Sequence, residues 1–182
     1  MILPQHYLES ERIILRELST EDAQQTYLDW FADAETTRFL SAPAADIDIQ
    51  SLCQYIQQNN ACRSSLLLGI FAKQTKAHIG NVRLVGIDTI KSRTSIGILI
   101  GEKTYWGSGI ASEVLIMATE LAHSELGIKR VFAGCHEENI GSVRAFEKAG
   151  YIRADALANE LAEEDRWMDG VVIDHVMMVS IK

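Results

Sequence analysis

The stretch Tyr105–Glu113, YWGSGIASE, places two glycines two residues apart between an apolar run and a helical one. Glycine inside or beside a helix costs about 0.5–1 kcal/mol relative to alanine, so a pair at a helix mouth demands a use. A helix N-terminus carries four N–H groups without intrahelical acceptors and a partial positive charge. Glycines placed there let an anion such as phosphate approach the backbone closely. The alternative is a tight turn between strand and helix. Either way the fold is constrained: in mid-chain a strand must run directly into a helix across Gly107-Ser108-Gly109.

The pattern around this point supports that order. Arg12–Leu18 reads as a strand. Ser19-Thr20-Glu21-Asp22 has the residues of a capped helix start, and Ala23, Tyr27, Trp30 and Phe31 carry helical spacing to about Asp33. A second helix is predicted over Asp48–Gln58, with Ile49, Leu52, Cys53 and Ile56 on one stripe. The period then changes. Leu66–Lys73 and His78–Val85 are apolar runs joined by Gln74-Thr75-Lys76, a hairpin signature. Ser95–Gly101 alternates Ile96, Ile98 and Ile100 against Gly97 and Leu99, as a central strand does. Ile110–Leu126 is a helix with Val114, Met117, Ala118, Leu121 and Ala122 on its apolar face, stopped by Gly127. Val131–Cys135 is a strand, Ser142–Ala149 a short helix closed by Gly150, and Val171–Ile181 the final strand. The expectation is one α/β (α+β) domain spanning residues 1–182, without repeat or linker.

Composition excludes several functions. With 182 residues and 47% hydrophobic content the chain suits one sizeable core. No apolar run approaches the about 20 residues of a membrane span. Met1-Ile2-Leu3-Pro4-Gln5-His6 lacks a basic region followed by an apolar one, so a cytoplasmic protein is expected. The net charge is -8 and no Lys/Arg cluster occurs, which argues against nucleic acid and weakly favours a cationic amine as substrate. Cys53, Cys62 and Cys135 have no metal-ligand spacing and read as reduced, mostly structural thiols; no metal site is expected.

Two nucleotide-binding motifs fail on YWGSGIASE. A Walker loop needs GxxxxGK[ST], and the lysine is missing. A dinucleotide fingerprint needs a third glycine and an acidic residue about 20 positions on; Ser112, Lys129 and Arg130 stand in those places. The segment WGSGIA, Trp106 to Ala111, instead resembles the (Gln/Arg)-x-x-Gly-x-(Gly/Ala) signature of Gcn5-related N-acetyltransferases (GNAT). The resemblance continues in AGCHEENIGSVRAFEKAGY, Ala133 to Tyr151. Within that superfamily the chain is most similar to the Rim-type (RimJ/RimL-like) ribosomal-protein acetyltransferases, and to relatives that acetylate amino sugars. The departure is Trp106, where the signature prefers Gln or Arg.

The resemblance implies a mixed, mostly antiparallel sheet of six to seven strands flanked by helices, with splayed central strands. It implies acetyl-CoA as cofactor and direct attack by an amine on its thioester. The Ser95–Gly101 and Val131–Cys135 strands would diverge, and the pantetheine arm would pair with backbone of Ile98 and Ile100. Trp106 would edge the pyrophosphate loop, and Gly107, Ser108, Gly109, Ile110, Ala111 and Ser112 would hold the pyrophosphate. An N–H of Leu99 or Ile100 would face the thioester oxygen. Asn139 is either a turn residue or a pantetheine contact. Ser142 either caps the following helix or, as in Rim-type relatives, protonates the departing thiolate. Many relatives use a tyrosine seven residues after the asparagine for that step, and here the position is Phe146.

The strand glutamate that serves some relatives as base is missing from Arg93-Thr94-Ser95-Ile96. His136, Glu137, Glu160 and His175 are the candidates, each alternatively a solvated surface group, with a water relay as a further route. Glu113 reads as an electrostatic support of its helix N-terminus. Trp30, Phe31, Phe39 and Trp167 either line an acceptor pocket or pack in the core. The late loop Ala154–Gly170 carries the acidic LAEED run, which either greets a cationic amine or is a solvated run of charge. Three functions remain open: acetylation of a protein N-terminal amine, acetylation of a nucleotide-linked amino sugar or polyamine, and a non-catalytic acyl-CoA-binding module. A homodimer is compatible with each.

Overall fold

The computed structural model describes residues 7–40, 47–153 and 175–182. The elements are β1 (Tyr7–Glu9), β2 (Ile13–Glu17), a 3-10 turn (Thr20–Asp22), α1 (Gln25–Ala32), α2 (Ala34–Thr37), α3 (Ile49–Ala61), β3 (Ser65–Ala72), β4 (His78–Asp88) and β5 (Arg93–Ile100). A second 3-10 turn (Lys103–Tyr105) leads into α4 (Ile110–Ser124), then β6 (Arg130–His136), α5 (Ile140–Lys148), β7 (Ile152–Arg153) and β8 (His175–Ile181). Glu160, Trp167, the loop Ala154–Gly170 and the expected start of the last strand at Val171 lie outside the described residues.

Among the described residues the sheet has eight strands, in the order β1-β2-β3-β4-β5-β6-β8-β7. The expected six to seven omitted β1 and β7. Their three and two residues are too short to display an alternation. All neighbours are antiparallel except β5 and β6, which run parallel. The expected first helix is also broken. Ser19 and Asp22 form a capping box that closes a single 3-10 turn. Asp33 then ends α1 and caps α2 by accepting from the Glu35 and Thr36 amides.

Helices cover both faces of the sheet, and β3 records this directly. Its eight residues are all buried, which is why SLLLGIFA reads as one apolar run rather than an alternation. Leu66, Leu68, Ile70 and Ala72 join the core beneath α4 and α5, whereas Leu67 and Phe71 join the core beneath α1 and α3. In β5, Ile96, Ile98 and Ile100 face the α4 side and Leu99 the α1 side, as the alternation predicts. The α1-side core includes a histidine the sequence pattern did not single out. His78 packs among Tyr27, Trp30 and Phe71 and shares a hydrogen bond with Asn81 Oδ1 at 2.9 Å. Burial pushes its proton affinity below the ordinary imidazole value, so it is neutral there.

Helix α4 is the main support of the site, and Val114, Leu115 and Ala122 on it are fully buried. Leu115→Ala is expected to lower the unfolding free energy by about 2–5 kcal/mol in urea denaturation. A loss below about 1 kcal/mol, roughly one buried methylene, would contradict this packing.

Candidate functional site

Strands β5 and β6 pair at only three positions: Arg93↔Arg130, Thr94↔Val131 and Ser95↔Phe132. Beyond Ser95 they part. Each stays paired on its outer side, β5 to β4 as far as Gly80↔Ile100 and β6 to β8 as far as His136↔His175. The inner edges of 96–100 and 133–136 face a gap with no strand between them among the described residues. Backbone N–H and C=O groups are obligatory hydrogen-bonding groups, so this gap suits a ligand that itself carries amides. The buried Ser95 hydroxyl, at the last pair before the parting, has no hydrogen-bond partner among the described residues.

The geometry sorts the three isoleucine-strand residues expected at the cofactor. Gly101 N donates to Ile79 O on β4 at 2.9 Å, and a Cβ on Gly80 would collide with the Leu99 carbonyl oxygen. Backbone groups alternate sides along a strand. The Leu99 backbone therefore faces β4, and the backbones of Ile98 and Ile100 face the gap. Trp106 Nε1 donates to the Ile100 carbonyl at 2.8 Å. This gives the residue that departs from the signature a role: it ties the glycine loop to the end of β5. The N–H of Ile100 and both groups of Ile98 remain toward the gap.

The glycine loop lies at the gap's open end. Gly107 and Gly109 have φ of 70° and 84°, the left-handed region that side chains resist. A Cβ on Gly107 would meet nothing within 4 Å, so the backbone there is open to a ligand. Gly109 is the N-cap of α4 and supplies no side-chain cap. Amide N–H groups of Gly107, Gly109, Ile110, Ala111 and Ser112 have no acceptor among the described residues. Open donors of this kind at a helix N-terminus would make a cradle for an anion. This is the fit that a pyrophosphate requires.

On the β6 side, Asn139 is the N-cap of α5, its Oδ1 accepting from Ser142 N at 3.1 Å. The cap is thus Asn139 and not Ser142. The Ser142 hydroxyl is left to bond with the Cys135 side chain, whose thiol is pushed up by burial and stays protonated. His136 ends β6 and lies with Arg38, Phe39, Glu137 and Glu138 around an open cavity of about 650 Å³. The Phe39 and His136 rings are 5.6 Å apart. His175 stands opposite His136 in the strand register. Phe39 therefore lines a cavity, whereas Trp30 is a core residue whose edge also borders a second cavity, with Asp29, Asp33, Glu102 and Lys103. Phe31 packs against the α1-side core.

Sequence reasoning missed Arg12. It precedes β2, yet its guanidinium reaches across to the glycine loop. Nη1 donates to Ser108 O at 2.9 Å, and Nε and Nη2 donate to Glu113 Oε2. Ser10 Oγ holds the other Glu113 oxygen. Nothing local marks such a contact, because the residues lie about a hundred positions apart.

Comparison with known proteins assigns the arrangement to a class. Residues 12–152 match the family model described as an acetyltransferase (GNAT) domain, and the chain belongs to that family. It is an N-acetyltransferase, and the cosubstrate that goes with the family is acetyl-CoA. Among sequence relatives, it is 29% identical over 156 residues to an uncharacterized N-acetyltransferase, YoaA, of Bacillus subtilis, covering 82% of this chain and 85% of that one. Its fold is shared with a spermidine N-acetyltransferase from Vibrio cholerae solved with CoA and spermine (TM-score 0.75, 16% identity, 94% of this chain and 96% of that one). It is also shared with a putative ribosomal-protein-serine acetyltransferase from Vibrio cholerae (TM-score 0.73, 19% identity, 98% and 99%). No helix among the described residues is long and apolar enough to cross a membrane.

Gly109→Ala forces a Cβ into the left-handed region at a cost of about 1–2 kcal/mol, and it is expected to weaken acetyl-CoA binding as well. Gly127→Ala, at φ 67° beyond the other end of α4, is the control. Calorimetric titration should give a loss of affinity for Gly109→Ala alone, with similar melting-temperature drops in both. Equal affinities in the two variants would count against the cradle.

Proposed function

We propose that the enzyme transfers the acetyl group of acetyl-CoA to the free N-terminal amine of a protein or peptide. The observation that carries the cofactor half of this reading is the conjunction of the parted β5 and β6 edges with five unpartnered amides at the mouth of α4. Gly107, Gly109, Ile110, Ala111 and Ser112 would hold the pyrophosphate through their N–H groups, and the Ile98 and Ile100 backbones would pair with the pantetheine amides. Acetyl-CoA supplies an activated thioester carbonyl. The Ile100 N–H, rather than that of Leu99, would donate to the oxygen on which negative charge develops.

The acceptor approaches from the α1 side. Gly97 leaves open space on that face of β5, since a Cβ there would meet nothing within 4 Å. A glycine in a strand interior marks close approach of a ligand. The amine nitrogen forms its bond to the acetyl carbon as the carbon–sulfur bond breaks. The amine's surplus proton passes to His136, directly or through water, with Glu160 as the other proposed base. The departing thiolate takes the Ser142 hydroxyl proton and the serine oxygen regains one from solvent, that side chain being spared the capping of α5 by Asn139. The mixed charge around His136 favours a peptide terminus. Glu137 attracts its ammonium group, and Arg38, which also pairs with Glu138 Oε2 at 3.7 Å, can hold its carbonyl oxygens.

A small polyamine is the second reading. The net charge of -8 and the carboxylates of Asp29 and Glu102 around the second cavity favour it, Asp33 there being paired with Lys103 at 2.7 Å. Release of free CoA across a panel of peptides, amino sugars and polyamines separates the two. Turnover confined to peptides with free N-termini is expected, and turnover confined to polyamines would replace the first reading with the second.

Ser142→Ala is expected to lower kcat by about a hundredfold, the usual scale of general acid catalysis. The KM for acetyl-CoA should stay within about twofold in the same assay. An unchanged kcat would remove the proton-donor role.

A further inference from the structure

We infer that Arg12 is a positioning residue that keeps the glycine loop in its anion-binding form; this rests on the acetyl-CoA reading above. Three contacts define the brace. Arg12 Nη1 donates to the Ser108 carbonyl at 2.9 Å, Nε donates to Glu113 Oε2 at 2.8 Å, and Nη2 donates to the same carboxylate oxygen. Ser10 Oγ and the Arg12 side chain together occupy both Glu113 oxygens.

The first consequence is geometric. In a trans peptide the C=O and the following N–H point in opposite directions, and the structure has no cis peptide among the described residues. By drawing the Ser108 carbonyl toward itself, Arg12 turns the Gly109 N–H the other way, among the unpartnered amides. Gly109 has φ 84°, a conformation with few intrinsic preferences for a glycine, so an external tether decides the peptide's orientation. A Cβ on Gly109 would lie 3.8 Å from Arg12 Nη2, which places the guanidinium directly against this backbone.

The second consequence is electrostatic. Glu113 lies in the first turn of α4, and its side chain is mostly buried. An uncompensated carboxylate there would oppose the approach of a pyrophosphate to the same helix end. Pairing with Arg12 cancels that charge. The fork of a guanidinium can hold a carbonyl and a carboxylate at once, which an ammonium group cannot reproduce. Both effects act on the phosphate-bearing part of the cosubstrate and leave the thioester end alone.

The test compares acetyl-CoA with acetyl-pantetheine, which carries the thioester but no pyrophosphate. For Arg12→Met the KM for acetyl-CoA is expected to rise about tenfold, the scale of one charged hydrogen bond, with kcat within about twofold and acetyl-pantetheine kinetics unchanged. Arg12→Lys, which keeps the charge without the fork, should fall between; it is read by the same criteria if the methionine variant does not fold. Adding Glu113→Gln to Arg12→Met should recover part of the lost affinity by removing the uncovered charge. An unchanged KM for acetyl-CoA, or an equal rise for both thioesters, overturns the brace. Calorimetry on the wild type separates the two ideas. Wild-type protein that does not bind acetyl-CoA overturns the cosubstrate reading and the brace with it, whereas normal binding by both wild type and Arg12→Met overturns the brace alone.

Discussion

Three backbone pairs and then a parting: the short parallel contact between β5 and β6 is the constraint on which the site depends. The contact joins the two strands at Arg93–Ser95 and releases them just before Ile96. Were the ladder continued, the inner edges would satisfy each other and no amide would face outward. The gap persists because both strands are held from outside, β5 by β4 without a break from Ser95 to Ile100 and β6 by β8 from Arg130 to His136. The helices fix it from above and below. α4 leaves the end of β5 through the glycine loop, and α5 leaves the end of β6 through Asn139. Both helices thus begin beside the gap, with their positive ends toward the same opening.

Much of this was legible in the residues. The alternation of Ile96, Ile98 and Ile100 against Gly97 and Leu99 located the central strand and its two faces. The apolar stripe of α4 and the glycines before it located the helix and its N-terminus. The family signature then added the parting, which no periodicity reveals, because strand pairing is decided by tertiary contacts rather than local pattern. Other features were hidden for physical reasons. β1 and β7 are too short to alternate. The break between the 3-10 turn, α1 and α2 depends on the Ser19 and Asp33 caps, which compete locally with one continuous helix. The direction of the Leu99 backbone follows from its pairing partner on β4, and Arg12 becomes visible only when β2 and α4 are brought together.

The chemistry divides along the same line. In the proposed reading the cosubstrate would be held almost entirely by backbone, so that Trp106 in place of Gln or Arg would leave its main contacts intact. The side chains proposed to move protons are placed specifically: Asn139 takes the cap, Ser142 keeps its hydroxyl beside Cys135, and His136 opens onto a cavity with charges of both signs. In the same reading the acceptor would be chosen at that cavity and at the open face of Gly97, both apart from the glycine loop.

The central claim is that acetyl-CoA occupies the gap and the mouth of α4, and amide chemical shifts test it most directly. In ¹⁵N-labelled protein titrated with CoA, the account predicts that the largest shifts fall on the amides of Ile98, Ile100, Gly107, Gly109, Ile110, Ala111 and Ser112, while the Leu99 amide, turned toward β4, moves little. Saturable binding whose largest shifts fall elsewhere, or no shifts at all, would contradict it.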